Sequence, residues 1–219
     1  MTLEQFRQVW TKAAAKTAAR EKDYSALDAA AGGDGDHGEA IVAATKALAA
    51  AEGNDFKSLL ESMVAHLESD VSGSTSSLYG TLFEGMADAV DAGKTELSAP
   101  ELADLFAAGL EELGFATKAK VGDKTFMDAL IPAVEALKAH AAEGEAAMFA
   151  AAAAAGRATV PSSSAAADDE HRHALVVSPR GIDFVADCRE LQERIAVGQR
   201  LRRIRKPGNS CQGHSKQCA

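Results

Sequence analysis

Residues 55–68 read DFKSLLESMVAHLE. Phe56, Leu59, Leu60, Met63, Val64 and Leu67 recur at intervals of three and four, and the positions between them are polar or alanine. That is the period of an α-helix with one buried face; a half-buried strand would alternate every second residue. The same period repeats on both sides. Leu3, Phe6, Val9, Trp10 and Ala13 form one stripe, and residues 38–51 (GEAIVAATKALAAA), closed by Gly53, form another helix. Residues 77–92 carry Leu78, Leu82, Phe83, Met86 and Val90. Ser98 and Glu101 stand at capping-box spacing with Pro100 in the first turn, ahead of Leu102, Leu105, Phe106, Leu110 and Leu113. Residues 124–141 and 144–156 add two more helices, the last nearly all alanine. Alanine is the strongest helix former. No segment alternates like a strand. Amphipathic helices with short joints predict an all-α fold, an antiparallel bundle or barrel of seven to eight helices.

Composition narrows the class. The chain has 219 residues, 47% hydrophobic and 25% charged, which is too apolar for a disordered chain. Three cysteines cannot form a disulfide framework in this length. No apolar run reaches the roughly 18 residues of a membrane span. The N-terminus MTLEQFRQVW has no basic-then-apolar signal pattern, so the expected location is cytoplasmic. A net charge of −9 weighs against a nucleic-acid partner.

The charge is uneven. Residues 1–159 carry −12 with ten lysines and three arginines; residues 160–219 carry +3 with two lysines and eight arginines. Cys188, Cys211 and Cys218 all lie in the second part. The domain boundary is therefore expected near residue 160, with a helical domain over 1–159 and an atypical tail over 160–219.

The joints carry the chemistry. Gly32-Gly33-Asp34-Gly35-Asp36-His37-Gly38, with Asp28 upstream, combines glycines, closely spaced carboxylates and a helix start. Such carboxylates suit a hard cation such as Mg2+, which shares its shell with phosphates. A helix N-terminus suits the anion. The spacing Gly33-x-Gly35-x-x-Gly38 follows a helical segment rather than a strand, which excludes the dinucleotide fingerprint. Gly38 and Thr45 stand where an EF-hand loop starting at Asp34 needs oxygen donors, which excludes that loop. A second joint, Asp70-Val71-Ser72-Gly73-Ser74-Thr75-Ser76-Ser77, could cradle phosphate at a helix start. The third, Gly122-Asp123-Lys124-Thr125, precedes Phe126 and Met127 and lacks the P-loop spacing. Each joint taken singly is also compatible with a plain polar helix cap, and Lys124, Phe126 and Met127 with a solvated face or core.

Taken in order, LDAAAGGDGDHG, SGSTSSLYGTLFEGM and GDKTFMDALIPA resemble the nucleotide-binding L subunit of dihydroxyacetone kinases, over about residues 1–159. The resemblance implies a barrel of eight antiparallel helices with ATP or ADP and two Mg2+ ions at one end. It implies Asp34 and Asp36 as metal ligands. The third family aspartate falls at Ala29; Asp28 stands beside that position, as if one glycine had been inserted at Gly32-Gly33. His37 and Gly38 would lie beside the nucleotide, with phosphates on the backbone of Gly73, Ser74 and Thr75. Ser76 stands where the family usually has a second glycine. Phe126 and Met127 would flank the base. The ketose would sit on a separate K-type subunit, and a phosphocarrier protein would be a further partner where bound ADP is rephosphorylated in place.

After Thr159 the resemblance stops. The family's YLGER and DPGA lid motifs are absent, and PSSSAAADDEHRH, ALVVS and an arginine-rich stretch follow. The tail reads as a divergent segment, mis-framed or partly disordered. Leu191, Ile195, Leu201 and Ile204 with Arg200, Arg202, Arg203 and Arg205 also have the spacing of a basic amphipathic helix for a membrane surface or an acidic partner. Cys211, His214 and Cys218 supply only three zinc donors. Two functional readings follow: the Mg-nucleotide half of a ketose kinase, or a non-catalytic L-like binding protein disabled by loss of its lid.

Overall fold

A computed structural model of the chain describes residues 1–30, 33–123 and 125–159. Eight α-helices run in order among them: α1 Leu3–Ala18, α2 Glu21–Ala30, α3 His37–Ala50, α4 Phe56–Asp70, α5 Gly73–Asp88, α6 Ala99–Ala116, α7 Met127–His140 and α8 Glu145–Thr159. A short 3-10 turn, Ala141–Glu143, precedes α8. The described residues contain no strand, only a single antiparallel bridge from Thr2 to Glu96. The fold is the all-α bundle that the periodicity predicts. Lys124 and the whole tail, including its cysteines and arginines, lie outside the described residues.

The stripes face one core. Phe56, Leu59, Leu60, Met63 and Leu67 of α4 are completely buried. They meet Phe6, Val9 and Trp10 from α1, Phe83 and Met86 from α5, Leu102 and Leu105 from α6, and Leu137 from α7. Edge-on rings join the layers: Phe6 lies 5.5 Å from Phe56, and Trp10 lies 5.1 Å from Phe83. Between α5 and α6 the backbones themselves approach. A Cβ on Gly109 would stand 2.5 Å from the Leu82 carbonyl, and one on Gly85 would stand 2.5 Å from the Glu112 Cβ.

Successive helices α3 through α8 pack side by side, and α1 packs on α3, with short joints that reverse the chain. One end of the bundle therefore collects Met1–Leu3, Asp55, Thr95–Ser98 and the Ala141–Glu145 turn. There Leu3 donates to Thr95, Leu97 donates to Met1, and Phe56 donates to Lys94, all through the backbone. The opposite end collects α2, the α2–α3 joint, the α4–α5 joint, the α6–α7 joint and the end of α8. All three motif-bearing joints lie at this second end.

Two helix starts differ by more than one residue from the sequence reading. Helix α5 begins at Gly73 rather than 77, so Ser74 to Ser77 form its first turn. Helix α7 begins at Met127 rather than 124, because Gly122 adopts φ +104° and turns the chain there. Helix α2 is the additional short element. Ala26 and Ala29 are exposed, and Tyr24 is a deeply buried side chain of this helix, 5% exposed.

Candidate functional site

Helix α2 ends in a turn that reverses the chain. The Gly33 amide donates to the Asp28 carbonyl at 3.0 Å. A Cβ on Gly33 would collide with the Asp28 carboxylate. Absence of that Cβ lets the carboxylate fold back, and its Oδ2 accepts the Gly35 amide at 2.8 Å. Asp28 is buried, 8% exposed, whereas Asp34 and Asp36 are exposed. One carboxylate oxygen from each of Asp28, Asp34 and Asp36 lies within 4.8 Å of the other two. The Asp28 carboxylate thus stands beside Asp34 and Asp36.

Three carboxylates this close repel one another. Asp36 is pushed above the usual carboxylate range, first by a shared hydrogen bond with Asp34, then by burial and by the charges of Asp34 and Asp28; His37 opposes this. Hard oxygen donors in this number are the set that Mg2+ takes, and a cation would relieve the repulsion. The donor set fits that ion.

His37 opens α3, half-buried, its ring edge-on to Tyr24 at 6.4 Å. Burial pulls its pKa down, against the raising effect of Asp28 and Asp36. Gly38 donates its amide to the Ser25 hydroxyl at 3.2 Å, and a Cβ there would collide with the Glu21 carbonyl. The glycine lets α3 start directly against α2.

At the second joint Gly73 adopts φ +76°, a conformation that side-chain-bearing residues rarely take. Ser72, Gly73 and Ser74 are exposed, whereas Thr75 is 4% exposed and Ser76 donates its hydroxyl to the Leu67 carbonyl at 2.8 Å. The hydroxyl-rich joint therefore divides. Its start and Ser77 are exposed, whereas Thr75 and the Ser76 hydroxyl turn into the bundle.

At the third joint Asp128, 2% exposed, accepts the amides of Gly122 and Thr125, the latter at 2.8 Å. Phe126 stacks on Tyr79 of α5, with centroids 6.0 Å apart and planes 24° from parallel. Met127 is 3% exposed, so Phe126 is the member of that pair that can offer a face. Burial pushes the Tyr79 phenol up to about 12, and Tyr24 adds to the shift. Tyr24, His37, Tyr79 and Phe126 thus tie the three joints into one aromatic-backed floor.

Sequence reading missed Tyr24, Tyr79 and Asp128. The aromatic pair left no local signal, because its members come from different helices. Asp128 did leave one: Thr125-x-x-Asp128 has the spacing of a capping box.

Helix capping separates the two ends. At the far end, Thr2, Asp55 and Ser98 each form a complete capping box at the starts of α1, α4 and α6. At the site end, Asp36 and Ser72 stand in the N-cap positions of α3 and α5 without making a cap bond, while Ser25 accepts the Gly38 amide and the Thr125 hydroxyl accepts the Met127 amide at the start of α7. Neither the Asp36 nor the Ser72 side chain is spent on capping its helix. Uncapped helix N-termini present free N–H groups and partial positive charge, the usual setting for phosphate.

This pairing of carboxylates with helix N-termini at one end of an all-α bundle agrees with what the chain resembles. The sequence profile of the DAK2 domain matches residues 31–185, and the chain belongs to that family. It is 33% identical over 126 residues to the ADP-binding subunit DhaL of the PEP-dependent dihydroxyacetone kinase 2 of Listeria innocua, covering 54% of this chain and 57% of that one. It is 33% identical over 110 residues to the ADP-binding subunit DhaL of the PEP-dependent dihydroxyacetone kinase of Escherichia coli, covering 48% and 52%. The chain spans about half the length of these curated relatives. Among solved structures it is similar to the dihydroxyacetone kinase of C. freundii, with TM-score 0.65 and 24% identity over 87% of this chain and 34% of that one. The same enzyme in complex with AMP-PNP and Mg2+ gives TM-score 0.64 and 23% identity over 87% and 33%. Those structural likenesses concern the fold alone. None of the helices among the described residues is long and apolar enough to cross a membrane.

Proposed function

We propose that this chain is the Mg-nucleotide-binding subunit of a ketose kinase of the dihydroxyacetone type. The observation that carries the reading is the group Asp28, Asp34 and Asp36 within 4.8 Å, next to the start of α3. The names of its relatives, ADP-binding subunits of dihydroxyacetone kinases, support it.

In this reading Asp28, Asp34 and Asp36 hold two Mg2+ ions. When bound, Mg2+ would supply positive charge to offset the charge that builds in phosphoryl transfer. The chain's own residues do the positioning. The Gly35 amide fixes Asp28, and the start of α5 offers backbone N–H groups from Gly73, Ser74 and Thr75, with Gly38 beside the nucleotide. His37, its pKa lowered by burial, lies beside the nucleotide as a hydrogen-bonding group rather than a cation. Phe126, backed by Tyr79 and with Met127 behind it, flanks the base.

No general base stands among these residues, so the acceptor and its activation belong to a partner, a K-type subunit that carries the ketose. The acceptor must reach the phosphoryl group, so the partner seats on the site end. Phe115, 80% exposed in the last turn of α6, and Val121, 47% exposed on the α6–α7 joint, stand at that end with exposed Lys118 and Lys120 between them. They offer an apolar, basic landing strip. A phosphocarrier protein would be the donor where bound ADP is rephosphorylated, and the cytoplasm is the compartment that suits this chemistry.

The test is ketose phosphorylation by the full chain mixed with a K-type subunit, supplied in turn with ATP and with a phosphocarrier system. Turnover that needs both chains and vanishes with Asp34→Ala supports the reading. Full nucleotide binding without turnover, with a partner that works with another L subunit, favours the non-catalytic alternative.

A further inference from the structure

A buried carboxylate of α7 and a ring of α5 act on Phe126 from two sides. The carboxylate is Asp128, 2% exposed. Its two oxygens take different amides: Oδ1 accepts Gly122, and Oδ2 accepts Thr125 at 2.8 Å. Gly122, with φ +104°, is exposed, and so are Val121 and Asp123. Burying a carboxylate costs free energy that its hydrogen bonds must offset. Here the bonds hold a surface loop, where they add no core packing. What the loop leads into is Phe126. The Thr125 hydroxyl accepts the Met127 amide at 3.2 Å, and the Phe126 carbonyl accepts the Ala129 and Leu130 amides at 3.1 and 3.0 Å. The backbone of Phe126 is thus held by the loop before it and by the first turn of α7 after it.

The ring is held as well. Tyr79, six residues into α5 from Gly73, packs against the core, and Phe126 lies on it with centroids 6.0 Å apart and planes 24° from parallel. The pairs Phe6–Trp10, Phe6–Phe56 and Trp10–Phe83 instead cross edge-on, at 61° to 72°. Phe6, Phe56 and Phe83 are fully inside the core, whereas Phe126 is only half-buried. An aromatic side chain that is fixed in backbone and in plane, yet partly accessible, is preorganised to stack on a flat ligand. Burial pushes the Tyr79 phenol up to about 12, so it stays neutral near pH 7 and contributes its ring rather than a charge.

We propose that Asp128 and Tyr79 are positioning residues that hold Phe126 as a stacking platform for the base of a nucleoside diphosphate. The inference rests on the Mg-nucleotide reading above and adds to it which residues set the grip on the base. Neither residue needs to touch the ligand. Loss of either one removes affinity for the base and leaves affinity for the diphosphate.

The experiment titrates the full chain, in the presence of Mg2+, with ADP and separately with inorganic pyrophosphate. Pyrophosphate carries two phosphates and no base, so the ratio of the two affinities reads the platform. Wild type should bind ADP tighter by about tenfold or more. Tyr79→Leu and Asp128→Ala should bring the ratio close to one while pyrophosphate affinity is kept. Tyr79→Phe, which retains the ring, should keep the wild-type ratio. Should Asp128→Ala fail to fold, Asp128→Asn, which retains one acceptor oxygen, should give an intermediate ratio. Equal weakening of ADP and pyrophosphate in Tyr79→Leu or Asp128→Ala means general loosening and overturns the proposal. So does a ratio that Tyr79→Leu leaves at its wild-type value. A wild type that binds both probes equally overturns the platform alone. A folded wild type that binds neither overturns the Mg-nucleotide reading and the platform with it.

Discussion

At Gly33 the amide donates to the Asp28 carbonyl, and the missing Cβ leaves room for the Asp28 carboxylate to return to Gly35. The aspartate pattern at 34 and 36 is legible from spacing alone. The return of Asp28 is not, because it depends on a turn geometry that no residue count conveys. Asp128 works the same way at the third joint, as a buried carboxylate spent on two amides of its own loop. Asp128→Ala leaves the Gly122 and Thr125 amides without that acceptor and should cost about 2 kcal/mol by urea denaturation. Asp128→Asn keeps one acceptor oxygen and should cost less. Equal stability of all three proteins would contradict the assigned role.

At the scale of elements, the helices were readable because each buries one continuous stripe, and α4 shows it most simply. What escaped were starts and crossings. The start of α5 moved to Gly73 because a positive-φ glycine begins the helix before its apolar residues do. The α5–α6 crossing rests on Gly85 and Gly109, which look like helix-weakening residues in the sequence. Gly109→Ala makes the point testable. Alanine improves helix propensity by about 1 kcal/mol. Its Cβ, however, would stand 2.5 Å from the Leu82 carbonyl and 2.8 Å from the Met86 Cγ, and overpacking of that kind costs about 1–3 kcal/mol. A net loss of stability is expected; a gain would mean that the helices separate freely.

The cap of α6 gives a pH signature. Lys94, hydrogen-bonded to Glu101, pulls that carboxyl from 4.5 down to about 2, with the Ser98 amide and hydroxyl adding to the effect. A lowered folded-state pKa means stability that is present above the unfolded value and lost as pH falls through the folded one. Wild type should therefore exceed Glu101→Gln by a constant margin near neutrality. The margin should close between about pH 4.5 and 2 in thermal melts. A margin that does not change with pH would show that the charge plays no part.

For the whole molecule, the two ends of the bundle have been given different work. Three complete capping boxes finish the far end, and a carboxylate group with two helix starts whose N-cap side chains, Asp36 and Ser72, make no cap bond marks the other. Such a division is only partly visible in sequence: Ser98-x-x-Glu101 announces its cap, whereas the uncapped state of Asp36 and Ser72 appears only when the helices are built. The aromatic floor of Tyr24, Tyr79 and Phe126 joins residues up to a hundred positions apart and needs the closed bundle to exist.

The direct measurement is calorimetric titration of ADP with Mg2+ into the wild type and into Asp34→Ala. The account predicts micromolar or tighter binding, about −8 kcal/mol, that requires Mg2+ and vanishes in Asp34→Ala while that protein remains folded by circular dichroism. Absence of binding to the folded wild type, or equal binding to Asp34→Ala, would contradict it.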